Sequence, residues 1–497
     1  MKYVIGVDLG TSAVKALLVD QGGQVVHEAS AGYPLYHEQS GYREQRPEDW
    51  VTGTMTVMKQ LLAMENVKAE DIDGISFSGQ MHGLVLLDAN HEVLRNAILW
   101  NDTRTTQQCR QIEDRLGPLL LDTARNAALE GFTLPKLLWV KEHEPEIYAE
   151  SDVFLLPKDY VRYRMTGHLA QEYSDAAGTL LLDVASKRWS SAICSAVGIE
   201  ERLCPPLVES HAYVGHVLAE FAAETGLSVH TKVYAGGADN ACGAIGAGIL
   251  SDGKAMCSIG TSGVILAYEE NKALDIAGKV HFFNHAQQDA YYAMGVTLAA
   301  GYSLQWFHDT FCKTQSFPDM LRGLEVTSVG ANGLLFTPYL VGERTPHPDA
   351  NIRGSFIGMD GSHTQDHFTR AVVEGITFSL RESLDILRDA GKQIGSMVSI
   401  GGGAKNEAWL QIQADVFNAE IVRLETEQGP GMGAAMLAAY GCGWFESLEA
   451  CADAFLRPAQ CYQPIPANVA KYDQLYQLYQ QIYDQTKALS ESLAAFR

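Results

Sequence analysis

The chain has 497 residues, long for one hydrophobic core, so two or three domains are expected. Its formal net charge of −23 argues against a nucleic-acid partner and suits small-molecule chemistry, although backbone N–H groups and a divalent cation can still reverse the field around a polyphosphate. Nine cysteines without a C-x-x-C pair are expected as free buried thiols, and with no signal-like leader and no long apolar run the expected setting is the cytoplasm, with no membrane partner.

Taken in order, KYVIGVDLG reads as a strand on its β-branched content, Gly10 interrupts it, and SAVKALLVD forms a second strand. Asp20 to Gly23 is a turn and QVVHEAS a third strand. PEDWVTGTMTVMKQLLAM carries helical periodicity, with Pro47 early and acids in its first turn. DIDGISFSGQMHG predicts a strand and then a loop. HEVLRNAILWND predicts another strand with a polar end, and PKLLWVKEHEPEIYAE a helix.

The second half repeats the plan. VYAGGADN is a strand ending in glycines, ACGAIGAGIL a helix of small residues, and AMCSIG-TSG-VILAYEE a hairpin. RAVVEGITFSLRESLDILRDAG reads as a long amphipathic helix, SMVSIGGGAKN as a strand with a Gly-rich turn, and EAWLQIQADVFN as the helix after it. GPGMGAAMLAAYGCG is a late helix of small residues. The repeat is therefore of a whole domain, with domains expected at 1–245 and 246–497 and a hinge near Gly246. Phe282, Phe283, Tyr291, Tyr292, Tyr302 and Trp306 are expected in the core.

The two hairpin tips, Gly10-Thr11-Ser12 and Gly260-Thr261-Ser262-Gly263, carry little side-chain bulk. Their backbone N–H groups can approach an anion closely while the hydroxyls add donors, so together they could grip a polyphosphate from opposite domains. Asp8, two residues before the first tip, is suited to hold Mg²⁺ through water, and Ser258 takes its place in the second hairpin.

Several further stretches resemble a family in the right order. GFTLPKLLWVKEH (131–143) and GSFIGMDGSHTQDHFTRAVVE (354–374) are similar to the two signatures of the FGGY carbohydrate kinases, and PYLVGERTPHPD (338–349) and GGGAKN (401–406) look like family elements. The resemblance covers essentially the whole chain. It implies an α/β protein of two actin-like, ribonuclease-H-like ATPase domains with a cleft between them, and ATP with Mg²⁺ as phosphoryl donor. GQMHG (79–83) and GGADNACGA (236–244) look like the xylulokinases within the family, which implies transfer to the terminal 5-hydroxyl of D-xylulose. Ribulose, gluconate or another polyol is the alternative substrate. Dimerisation is common in the family, so a homodimer stays open.

Asp239 follows a strand and two glycines and opens a helix, so locally it is either an N-cap or a general base held as an anion by the helix dipole. The resemblance implies the base, drawing the proton from the sugar hydroxyl, with Asn240 bonded to the same sugar. It also implies that Met81 supplies an apolar wall and His82 donates to sugar hydroxyls, with the sugar bound from the N-terminal side. Trp100, Asn101, Asp102 and Arg104 border that pocket or, for the Asp–Arg pair, form a structural ion pair. Gly402, Gly403, Ala404 and Asn406 resemble the adenosine-binding turn, Asn406 offering both a donor and an acceptor, with Gly429-Pro430-Gly431 closing the other side. The actin-like fold also serves filament and chaperone ATPases, but the sugar-loop motifs and the two signatures count against that use.

Overall fold

Alternation along Tyr3–Leu9 (β1) sends Tyr3, Ile5, Val7 and Leu9 into one apolar layer and leaves Val4, Gly6 and Asp8 on the opposite face. This computed structural model describes residues 2–276 and 278–497. β1 pairs antiparallel with Ala13–Asp20 (β2), which pairs antiparallel with Val25–Gly32 (β3). Ile72–Gly79 (β4) lies parallel on the other side of β1, followed by Tyr213–His216 (β5) and Lys232–Tyr234 (β6) in the order β5-β6-β4-β1-β2-β3. The short Gly237–Ala238 (β7) also pairs with β4 and aims the chain at Asp239.

The second sheet uses Lys254–Ile259 (β8), Gly263–Glu269 (β9), His281–Asn284 (β10), Tyr291–Thr297 (β11), Ser396–Gly401 (β12), Glu420–Leu424 (β13) and Pro458–Tyr462 (β14), in the order β10-β11-β9-β8-β12-β13-β14. Its inner five strands, β11-β9-β8-β12-β13, match β3-β2-β1-β4-β6 in order and sense: three antiparallel, then two parallel to the first. This is the duplicated actin-like arrangement expected from the sequence. The extra strand β10, inserted before the third, is what breaks the simple alternation there.

Pro47–Leu62 (α1) lays Trp50, Val51, Val57 and Leu61 against the odd-numbered face of β1. The single helix expected from PKLLWVKEHEPEIYAE is two, Thr133–His143 (α2) and Pro145–Glu150 (α3). Pro145 cannot donate to the ladder and forces Glu144 out of helical backbone, at φ −132°. The strand expected in HEVLRNAILWND shrinks to Ala97–Ile98, paired with Glu44–Gln45. Pro157–Thr166 (α4) and Asp239–Gly246 (α5) complete the first half. Gly301–Phe311 (α6), Gln365–Asp389 (α7), Glu407–Phe417 (α8) and Gly429–Gly441 (α9) belong to the second.

Helix α9 crosses back to cover β1 and β4 and lies across α5. The crossing is backbone on backbone: a Cβ at Gly433 would stand 1.8 Å from the carbonyl oxygen of Cys242. Gly429, Pro430 and Gly431 therefore do not close the nucleotide side as expected. Gly431 faces Leu17 and Asp8, and Gly429 faces Gly246. Phe282, Phe283, Tyr291 and Tyr292 are buried as expected, whereas Tyr302 is 41% exposed and Trp306 half-buried. The nine cysteines are free, and Cys461 is exposed rather than buried. Among the described residues no helix is long and apolar enough to cross a membrane.

Candidate functional site

The β8–β9 tip stands between two cavities. One, of about 270 Å³, is lined from the first half by Met81, His82, Trp100, Phe132, Asp239 and Asn240. Its other wall comes from the second half: Ser262 of the tip, His281, Phe283, Met294 and Arg344. The sugar pocket expected on the N-terminal side is thus shared by both halves. The second cavity, of about 540 Å³, holds Gly260, Thr261, Gly402, Gly403 and Asn406 together, with Tyr302, Phe317 and Leu321 as an apolar wall.

Asp239 is the first residue of α5, half-buried at the edge of the smaller cavity. Its Oδ1 accepts from the Asn240 N–H at 2.6 Å and from Asn240 Nδ2 at 2.9 Å. The carboxyl is pushed up to about 7, chiefly by burial and then by the negative charge of Asp8, while the Asn240 N–H pulls the other way. The expectation that the helix terminus keeps it an ordinary anion is corrected: desolvation and the neighbouring carboxylate outweigh the dipole. A carboxyl near 7 is well matched to take a proton at neutral pH.

The backbone before Asp239 is held by a network that sequence reasoning missed. Ser174 Oγ accepts the Ala238 N–H at 2.9 Å and donates to Glu172 Oε2 at 2.7 Å, and Ser210 donates to the same oxygen at 2.9 Å. Lys158, fully buried, neutralises Glu172 at 3.2 Å and Asp159 at 2.8 Å. No local motif marks these residues, since they converge only through tertiary packing.

His82 sits in left-handed backbone at φ 68°, with Nδ1 2.7 Å from the Gly178 carbonyl oxygen. Burial, reinforced by Lys136, drives its pKa down to about 3, so the ring is neutral. A carbonyl only accepts, so Nδ1 carries the proton and Nε2 is a bare acceptor. His82 therefore receives hydrogen bonds from a bound hydroxyl, correcting the expected donor role. His281 repeats this logic. Asn126 Nδ2 donates to the Ala124 and Phe282 carbonyls, which fixes its Oδ1 as the acceptor of His281 Nδ1–H at 3.1 Å. His281 is likewise held neutral, down to about 3 by burial and then Arg344, and presents Nε2 as an acceptor.

Lys136 is fully buried and donates to the carbonyls of His82 (3.3 Å), Phe132 (2.9 Å) and Gly131, fixing the loops that carry two cavity residues. Burial pulls its pKa down to about 7. Lys136→Met strands these carbonyls and is expected to lower stability by about 2–3 kcal/mol, read from the denaturant midpoint.

Of the residues ending the strand after GQMHG, Trp100 alone lines the cavity, its Nε1 donating to Thr11 Oγ1 of the first tip at 2.9 Å. Asp102 and Arg104 form the structural pair: Arg104 reaches Asp102 at 2.7 Å and Glu44 at 2.8 Å and stacks 3.5 Å over the Tyr42 ring. Neither they nor Asn101 line the cavity. Thr11 and Ser12 of the first tip lie outside the larger cavity, and Ala404 is buried off its wall. Asn406 spends Oδ1 on the Trp409 N–H at 2.9 Å, capping α8, so only Nδ2 remains for a ligand.

Residues 3–246 match the model of the FGGY family of carbohydrate kinases, N-terminal domain, and residues 255–442 that of its C-terminal domain. Over 497 residues the chain is 63% identical to the xylulose kinase of Bacillus subtilis (strain 168), covering 100% of both. It is similar to the solved ligand-bound xylulose kinase from Lactobacillus acidophilus, with a TM-score of 0.94, 28% identity, and coverage of 99% of this chain and 100% of that one. The gluconate kinase from Lactobacillus acidophilus gives a TM-score of 0.93, 28% identity and coverage of 100% of both chains.

Proposed function

Because the chain belongs to the FGGY family of carbohydrate kinases, we propose that it transfers the γ-phosphoryl group of ATP to the 5-hydroxyl of D-xylulose, giving D-xylulose 5-phosphate and ADP. The observation that carries this is Asp239, at the edge of the cavity next to the nucleotide cavity, with only the glycine-rich tip between them. ATP occupies the larger cavity, its phosphates against Gly260 and Thr261. The sugar fills the smaller one, with hydroxyl protons directed at His82 and Asp239. Asp239 takes the proton of the attacking hydroxyl as the oxygen bonds to phosphorus and ADP leaves. Closure of the two halves excludes water that would otherwise accept the phosphoryl group.

The residues present fit a Mg²⁺ ion. Asp8 is buried and its carboxyl is raised, chiefly by desolvation, and Asp239 is raised beside it, so the pair lacks a counter-charge. Lys15 is engaged by Glu28 at 2.9 Å and Gln428 at 2.8 Å. Asp8 would hold the ion through water, where it would neutralise phosphate charge as the P–O bond breaks. A reducing, cytoplasmic setting suits nine free cysteines. A homodimer is the assembly to test, by light scattering on the native chain.

A panel of D-xylulose, ribulose, gluconate and polyols, followed by coupled ADP detection, tests the substrate. D-Xylulose should give the highest kcat/KM, and chelation should abolish turnover until Mg²⁺ is restored. Equal turnover with gluconate or ribulose would favour the second reading, which the likeness to the gluconate kinase structure keeps in view.

A further inference from the structure

The smaller cavity contains a strong donor without a task. Arg344 lines it from the loop 338–349, beside His82, His281 and Asn240. Its hydrogen bond, 2.8 Å to Glu343 Oε1, comes from the backbone N–H, and among the described residues nothing engages the guanidinium. The carboxylates whose charge reaches it have other partners: Glu130 accepts from Thr106 Oγ1 at 2.9 Å, and Glu343 caps the Leu298 N–H at 3.0 Å. Five N–H donors therefore face the space a sugar would fill.

The electrostatics order the cavity lengthwise. The charge of Arg344 acts on both histidines, while Asp239 feels Asp8. Asp239, Asp8 and the tip form the phosphoryl end, and His82, His281 and Arg344 the far end. Side-chain donors are scarce there. The two histidines present acceptors, Asn240 Nδ2 is spent on Asp239 Oδ1 at 2.9 Å and Met81 Sδ at 3.5 Å, and Trp100 Nε1 on Thr11. A sugar hydroxyl can donate to these histidines, but a ketone oxygen can only accept.

We propose, resting on the ketose-kinase reading of this site, that Arg344 donates to the C2 carbonyl oxygen of an open-chain ketose and thereby makes the enzyme discriminate a ketose from its alditol. The alditol carries a C2 hydroxyl that either histidine can accept, so it gains little from Arg344. A site built around one such hydrogen bond rejects the analogue lacking the partner group far more strongly than an apolar pocket rejects a methylene.

The test compares D-xylulose with xylitol in the native enzyme, Arg344→Met and Arg344→Lys, measuring Kd by titration calorimetry with a non-hydrolysable ATP analogue, and kcat/KM where turnover occurs. Arg344→Met should weaken D-xylulose by about 30-fold or more while leaving xylitol within about threefold. Arg344→Lys, which keeps a donor, should recover part of the preference. Unchanged affinity for the ATP analogue and an unchanged unfolding midpoint would show the variants folded. Equal losses for both ligands, or none for D-xylulose, would overturn the role of Arg344. Failure of the native enzyme to phosphorylate any ketose would instead overturn the substrate reading, and the ketone role with it.

Discussion

The Asp239→Asn enzyme is expected to lose phosphoryl transfer by about 10³–10⁴-fold while its Kd for D-xylulose stays within about threefold. The amide keeps the shape of the carboxyl and still offers an oxygen to the Asn240 N–H at 2.6 Å, so the start of α5 is preserved. What it lacks is a lone pair basic enough to take the hydroxyl proton. The thermal midpoint should hold or rise, because the native carboxyl is desolvated beside Asp8 and replacing it by a neutral group relieves that penalty. Single-turnover kinetics with calorimetric sugar titration separate the two effects. A variant that transferred phosphate at more than a tenth of the native rate would remove Asp239 from the chemistry. It would also revive the view of the chain as an ATP-driven switch.

The second large effect is on stability. Gly433→Ala puts a methyl 1.8 Å from the Cys242 carbonyl, within the crossing of α5 and α9. Neither partner is a flexible side chain, so two helix backbones must separate. The cost should be about 3 kcal/mol, at the upper end for overpacking, and is read from the guanidinium midpoint. Gly361→Ala is the control, since nothing lies within 4 Å of a Cβ there, and should move the midpoint by less than about 0.5 kcal/mol. Because α5 begins at Asp239, Gly433→Ala should also lower kcat more than it raises KM for ATP.

The duplicated sheet was legible because its signal is local. β1–β2 and β8–β9 are hairpins whose strands and turns lie within short windows, and their glycine tips stand out. Asp239, Met81 and His82 were legible through motifs beside strands. The second wall of the sugar cavity was not. His281 lies on the inserted strand β10 and Arg344 in a long loop, and each reaches the site only when the second half folds against the first. The direction of the His82 hydrogen bond was equally out of reach, because it depends on the Gly178 carbonyl, 96 positions away in the chain. Asn406 offers the same lesson: its amide suits an adenine edge on paper, but the helix that follows claims the oxygen.

The return of α9 to the first sheet bears on how the protein is made. The face of β1 that carries Val4 and Gly6 is covered by a helix encoded at 429–441, so a nascent chain exposes that surface until nearly the whole message has been read. The N-terminal half is thus a client for chaperones during translation, and expressed alone it should aggregate where the full chain stays dispersed.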